Sequence, residues 1–151
     1  MIRLDKISGS AHIASFTLVT DLVNGAVVAL GALNADGESY VGGAVANVAT
    51  DRIVLHASVE LQYATGALEE DFVLKAGKKG RGYILQKGDI VTITDDQITG
   101  TTVLGNYVLP IVGTKLAYSA TAPTTEVLAF KIIEKTTLNG QVATAIEVIK
   151  A

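Results

Sequence analysis

Turn signals recur at short intervals along this chain and limit the length of every regular element that it can form. Pairs such as Asn24-Gly25, Asp36-Gly37 and Asn139-Gly140 readily adopt the positive φ angles of tight hairpin turns. The segments between them are short and rich in valine, isoleucine and threonine, which favour strands. Apolar spacing typical of a helix is not sustained over a dozen residues. The sequence therefore predicts an all-β fold, a small barrel or sandwich built from short antiparallel strands.

Individual segments carry more specific predictions. The run from Arg52 to Leu61 is nearly continuous in apolar residues, as in a strand that is buried on both faces or lies at an interface. Lys87-Gly88-Asp89 predicts a turn between two strands, and residues 126–151 predict a closing hairpin. Residues 67–76 are compatible with one short helix that stops at Gly77, or with an ordered loop.

The composition favours one domain that contacts other subunits. The chain has 151 residues, of which 49% are apolar and 18% charged, and its mean hydropathy is +0.41. We interpret residues 1–151 as a single β domain with a soft boundary near residues 77–82. The apolar fraction is high for a monomer of this size, which indicates oligomerisation or docking. Residues 1–20 are interpreted as an extended N-terminal arm, able to add a strand to a neighbouring chain.

Charge and patterning argue against several classes of protein. The net charge is −3 and no long basic run exists, so we expect no nucleic-acid partner. The longest apolar stretch is interrupted by Asp21 and Asn24, so we expect a soluble chain that does not span a membrane. The first residues lack the pattern of a signal peptide. The chain has no cysteine, which excludes disulfides and thiolate chemistry.

No combination of residues in the sequence predicts catalysis. His12 and His56 lie in unrelated settings, and neither has a second ligand at the spacing that a metal site on a strand requires. The serines lie outside any nucleophile elbow, and none has an evident base to activate it. The acidic runs Glu69–Asp71 and Asp95–Asp96 are interpreted as solvated turns. We therefore expect no catalytic residue, no metal ligand and no cofactor.

The most suggestive local feature is a glycine-rich basic segment, "KAGKKGRG", that carries Lys75, Lys78, Lys79 and Arg81. Backbone N–H groups of such a loop are able to cradle a phosphate group. The segment does not satisfy the Gly-x-x-x-x-Gly-Lys-Ser/Thr pattern of phosphate loops, however. A mobile basic loop that is simply solvated, or that docks against an acidic partner, is the alternative interpretation.

Taken together, several motifs resemble those of small head-decoration or capsid-associated auxiliary proteins of tailed phages. The motifs are Asn24-Gly25, the Gly-x-x-x-Arg-Gly-Tyr segment at residues 77–83, Lys87-Gly88-Asp89, Gly113–Leu116 and the closing hairpin. The resemblance covers the chain from about residue 20 to its end. It implies a structural virion protein, not an enzyme, that binds the major capsid protein on the exterior of the shell. It also implies a homo-oligomer, with a trimer favoured at a local three-fold axis.

On this interpretation, the residues expected to contact the capsid are Lys75, Lys78, Lys79, Arg81, Asn24 and Gly25. Two other functions stay open. The first is a receptor- or glycan-binding β module of a phage tail or fibre, which the absence of tryptophan and the 5% aromatic content disfavour. The second is a small-barrel accessory subunit that binds a phosphorylated ligand through the basic segment.

Overall fold

The fold was examined in a computed structural model, which describes residues 1–7, 9, 12–58 and 72–151. Almost all regular structure over these residues is β, and the helical part is a single 3-10 turn at Asp95–Gln97. The all-β prediction is therefore confirmed. The strands are β1 (Ile2–Lys6), β2 (His12–Thr17), β3 (Leu22–Val23), β4 (Val27–Leu33), β5 (Tyr40–Gly43), β6 (Ile53–His56), β7 (Val73–Leu74), β8 (Lys79–Ile84), β9 (Ile90–Thr94), β10 (Ile98–Thr99), β11 (Tyr107–Pro110), β12 (Leu116–Ser119), β13 (Ala129–Leu138) and β14 (Gln141–Lys150).

Five strands close into a small barrel in the order β2-β5-β4-β6-β8. Its neighbouring strands are antiparallel except for β2 and β5, which are parallel. A barrel of so few strands has a narrow interior, and Phe16 occupies much of it with no exposed surface. The barrel core consists of Ala14, Phe16, Leu18, Leu22, Ala26, Val28, Leu30, Val54, Phe72 and Leu74.

A second, open sheet of seven strands has the order β1-β9-β14-β13-β11-β12-β10. Its centre is the long hairpin of β13 and β14, ten residues in each arm. A third, two-stranded sheet consists of β3 and β7, which are antiparallel.

Strand β6 belongs to the barrel and is buried on both faces, as its continuous apolar pattern predicts. Its two faces pack into two different hydrophobic cores. Val54 and His56 lie inside the barrel, whereas Ile53 and Leu55 belong to a second core shared with the open sheet. Full burial of an aliphatic side chain such as Leu55 contributes about 1.5–3 kcal/mol. The remaining buried members of the second core are Val27, Val45, Leu85, Val91, Ile93, Ile98, Val108, Leu116, Leu128, Phe130, Ile132, Ile146 and Val148.

Two of the four predicted turns join paired strands. Asn139 (φ 49°) and Gly140 (φ 79°) connect β13 to β14, and Gly37 (φ 69°) lies in the turn between β4 and β5. Gly25 and Gly88 also have positive φ angles, but each leads from one sheet into another. Asn24-Gly25 is therefore a corner, not a hairpin, because β3 pairs with β7 and β4 pairs with strands of the barrel.

The segment interpreted as an N-terminal arm is built into the fold of its own chain. Strand β1 pairs with β9 at the edge of the open sheet, and β2 is a member of the barrel. The physical reason is that Phe16 and Leu18 supply barrel core, which an extended arm would leave exposed to water.

Two further predictions fall in or near residues 59–71, which lie outside the described residues. Residues 67–71 of the candidate helix lie outside the described residues, and Val73–Leu74 form strand β7 instead of continuing a helix. The soft boundary at residues 77–82 falls within the β7–β8 turn and β8 itself, so the chain leaves the barrel only after Ile84.

Candidate functional site

Three turns meet at one end of the barrel, which we call the barrel tip: residues 18–21, residues 34–39 and residues 75–79. Lys75 Nζ donates to Asp21 Oδ2 at 2.7 Å, and the backbone N–H of Gly77 donates to the carbonyl of Leu18 at 2.7 Å. The hydrogen bond from Lys75, and then that from the backbone of Ala76, lower the pKa of Asp21. The predicted basic loop is thus ordered by its own chain.

Lys79 is also paired within the barrel tip. Its Nζ lies 3.0 Å from Glu38 Oε2 and 3.1 Å from Asp36 Oδ2, and these contacts raise the pKa of Lys79. Asp36 accepts hydrogen bonds from the backbone of Glu38, the Ser39 hydroxyl and Lys79, which lower its pKa. Two of the four predicted basic contacts therefore already have carboxylate partners.

The glycines of the basic segment serve packing inside the barrel. Gly80 and Gly82 lie on β8, where an added Cβ would come within 2.5 Å of Leu74 and 2.4 Å of Val54. Real Cβ atoms do not approach so closely, so a larger residue at either position would have to displace its neighbours. Lys78 and Arg81 remain exposed, and neither forms an ion pair with another described residue. Residues 79–84 are therefore a strand, not a phosphate-cradling loop.

Asn24 and Gly25, the other two predicted contacts, are buried. The Asn24 side chain clamps the backbone of Ser58: its Nδ2 donates to the Ser58 carbonyl at 2.9 Å, and its Oδ1 accepts the Ser58 N–H at 2.8 Å. A Cβ on Gly25 would lie 3.3 Å from the side chain of Ile93. Both residues hold the chain in place, and neither offers surface to a partner.

His56 and Ser58 form a buried polar pair that the sequence did not predict. His56 Nε2 lies 2.9 Å from Ser58 Oγ, and His56 Nδ1 lies 2.9 Å from the Val23 carbonyl oxygen. The Phe16 ring stands edge-on to the imidazole at a centroid distance of 5.6 Å. Burial lowers the pKa of His56 despite the opposing hydrogen bond to Val23. His56 and Ser58 are two positions apart in the sequence, and this spacing places both side chains on one face of an extended segment. That spacing is the sequence signal that could have revealed the pair.

A second polar cluster fastens the turn after β9 to the long hairpin. Asp95 Oδ1 accepts from Thr144 Oγ1 at 2.6 Å, and Asp95 Oδ2 accepts from Lys135 Nζ at 2.5 Å and from Thr102 Oγ1 at 2.9 Å. Burial by itself raises the pKa of Asp95, but the hydrogen bonds from Lys135, Thr144 and Thr102 outweigh it and leave the pKa lowered. Asp95 lies in a turn, as predicted, but its carboxylate is only 28% exposed because it is bound by Lys135, Thr102 and Thr144.

Exposed apolar side chains flank strand β11 at both of its ends. Leu104 is 61% exposed and follows the exposed Val103, while Val112 is 72% exposed and follows the exposed Ile111. A groove of about 300 Å³ lies along the same strand. Glu126 is the one charged residue of its described lining, which otherwise consists of Val48, Leu109, Pro110, Ile111, Val112, Ala117, Tyr118 and Ser119.

A smaller cavity, of about 220 Å³, lies where β1 passes the end of β6. Its described walls are Met1, Ile2, Arg3, Leu4, Asn24, Ala57 and Ser58. Within the described ranges, no group of three or more His, Asp or Glu side chains is placed to hold a metal ion. Among those same residues, no helix has the length and apolar character needed to cross a membrane.

Comparisons of this chain with protein-family models, with curated proteins and with solved structures found no match.

Proposed function

We propose that this chain is a structural virion protein that decorates the outside of a tailed-phage capsid shell. In this role it binds the major capsid protein and assembles with copies of itself, with a trimer favoured. The observation that carries the proposal is the apolar surface at the two ends of β11, combined with a rigid all-β frame. Adjacent exposed Val and Leu side chains at turns are costly in water and indicate a surface that a partner covers.

The barrel tip suits attachment to a shell because its three turns are already held in place. Ion pairs and hydrogen bonds link the turns, so little conformational entropy is lost when a partner binds. Val19 is 92% exposed at this tip, Lys78 is exposed in the turn before β8, and Arg81 is exposed on β8 itself. We assign shell attachment to Val19, Lys78 and Arg81, and subunit contacts to the ends of β11.

The two alternative functions receive less support. Binding of a phosphorylated ligand needs unpaired cations and open backbone N–H groups, whereas Lys75 and Lys79 are paired and the glycines of β8 are packed against side chains. Glycan binding commonly uses exposed aromatic rings for stacking. Among the described residues, the exposed large apolar side chains are all Val, Leu or Ile.

Co-sedimentation with purified capsid shells tests the proposal. The wild-type chain is expected to pellet with shells, and the double variant Lys78→Glu/Arg81→Glu is expected to stay largely in the supernatant. Lys131→Glu, a single charge reversal at an exposed position on β13, serves as the control and should still pellet. Because coat proteins differ between phages, shells are chosen from the phage or prophage whose genes neighbour this one.

Two outcomes contradict the proposal. One is the absence of wild-type binding to those shells. The other is equal loss of binding in Lys131→Glu and in the double variant, which would indicate a general charge effect.

A further inference from the structure

Ser58, His56 and Val23 form a chain of hydrogen bonds with only one consistent arrangement of protons. The Val23 carbonyl can only accept, so His56 Nδ1 carries the ring proton and donates it across 2.9 Å. In the neutral ring, Nε2 is then a bare acceptor, and the neighbour at 2.9 Å is the Ser58 hydroxyl. Ser58 Oγ in turn accepts the backbone N–H of Arg81 at 3.0 Å.

This arrangement has the parts of an activated nucleophile. A general base lies within hydrogen-bond reach of the hydroxyl, and a third group fixes the orientation and tautomer of that base. The N–H of Arg81 stabilises negative charge that develops on Oγ. Asn24 clamps the Ser58 backbone on both its N–H and its carbonyl, so the hydroxyl is held in position.

Ser58 also lies in the wall of the 220 Å³ cavity beside β1. Ligand pockets for larger molecules are typically about 300–1,000 Å³, so this cavity fits only a small group. Met1, Ile2, Leu4 and Ala57 make much of its lining apolar, which suits a short alkyl or acyl chain.

We infer that Ser58 is an activated nucleophile that takes a short acyl group from a small reactive ester. Oγ attacks the carbonyl carbon while His56 Nε2 takes the hydroxyl proton. The C–O bond to the leaving group then breaks, and the proton passes from His56 to the departing alkoxide or phenoxide. The products are O-acyl-Ser58 and one free alcohol or phenol. This is a modification site on the chain, and it does not depend on the proposed virion role.

The test is acetylation of the wild-type chain by p-nitrophenyl acetate, with the modified residues located by peptide mass spectrometry. Ser119 is the internal comparison: it is partly exposed and hydrogen-bonded to Thr121, with no histidine among its described partners. General-base assistance contributes about 10²–10⁴-fold, so Ser58 is expected to acetylate at least about 100-fold faster than Ser119. A rate for Ser58 equal to or below that of Ser119 overturns the inference.

The pH profile of the wild-type chain provides a second readout that needs no variant. Ser58 acetylation should follow the neutral fraction of His56 and stay constant from about pH 8 down to below its ordinary pKa of 6.5. Acetylation of Ser119 should instead rise with hydroxide throughout. His56→Asn keeps a donor for Val23 but removes the base, and it should lower the Ser58 rate about 100-fold or more. A Ser58 profile that parallels the Ser119 profile, or an unchanged rate in a folded His56→Asn variant, would sink the idea.

Discussion

Gly82 and Gly43 lie on two different strands of the same barrel, β8 and β5, and meet very different surroundings. A Cβ on Gly82 would come 2.4 Å from a Val54 methyl group, whereas a Cβ on Gly43 has no atom within 4 Å. Neither residue has a positive φ angle. A difference in stability between alanine variants at the two positions therefore reports side-chain packing and not backbone strain.

Gly82→Ala is expected to destabilise the chain by about 1–3 kcal/mol because the extra carbon overpacks the barrel interior. Gly43→Ala should be neutral or slightly stabilising, since it only restricts the unfolded chain. Urea denaturation monitored by circular dichroism measures both. Equal midpoints for the two variants would show that the barrel interior has room for a methyl group.

We expect His56 to make the stability of the chain depend on pH. Its pKa is lowered in the folded state, so the unfolded chain binds more protons as the pH falls below the ordinary value of 6.5. The free energy of unfolding should therefore decrease from about pH 7 to about pH 5, above the range in which most carboxylates titrate. Thermal melts across this window should show the slope in wild type.

The variant His56→Asn should flatten that slope. A slope that survives in His56→Asn would assign the pH dependence to another group.

At the scale of elements, the long β13–β14 hairpin is held to the turn after β9 by the Asp95 cluster. Lys135 contacts Asp95, Thr102 and Thr144, and the first two of these lie on the segment between β9 and β11. The side chains of Lys135 and Asp95 are 33% and 28% exposed, so solvent screens their interaction less than it screens a surface pair.

Lys135→Met is therefore expected to cost about 1–2 kcal/mol, the usual range for hydrogen bonds to charged groups after partial screening. Lys75→Met removes a more exposed ion pair with Asp21 and should change stability much less. Guanidinium denaturation of both variants provides the comparison. A larger loss in Lys75→Met would mean that the barrel tip, and not the Asp95 cluster, is the stronger tie.

At the scale of the whole molecule, the proposed assembly depends on the apolar ends of β11. We expect the wild-type chain to sediment as an oligomer, with a trimer favoured, because Leu104 and Val112 are too exposed for an isolated subunit. Val112→Asp should dissociate it without loss of strand content, as a buried carboxylate at an interface is strongly unfavourable.

Val19→Asp is the control for assembly, since Val19 lies at the barrel tip and not beside β11. It should sediment like wild type in analytical ultracentrifugation. A monomeric wild type at micromolar concentration contradicts the assignment of the β11 ends to subunit contacts.

Features that depend on neighbours along the chain were determined by the sequence itself. The Asn139-Gly140 hairpin, the β content and the two-sided burial of β6 follow from local turn chemistry and apolar pattern. Features that depend on strand order were decided only by the tertiary structure. Lys79 meets Glu38 across 41 residues because β5 and β8 flank β2 in the closed barrel, and Asn24 meets Ser58 across 34 because β4 pairs with β6. A local pattern has no information on such partners, so the basic segment looked free and Ser58 looked unassisted until the fold brought their partners together.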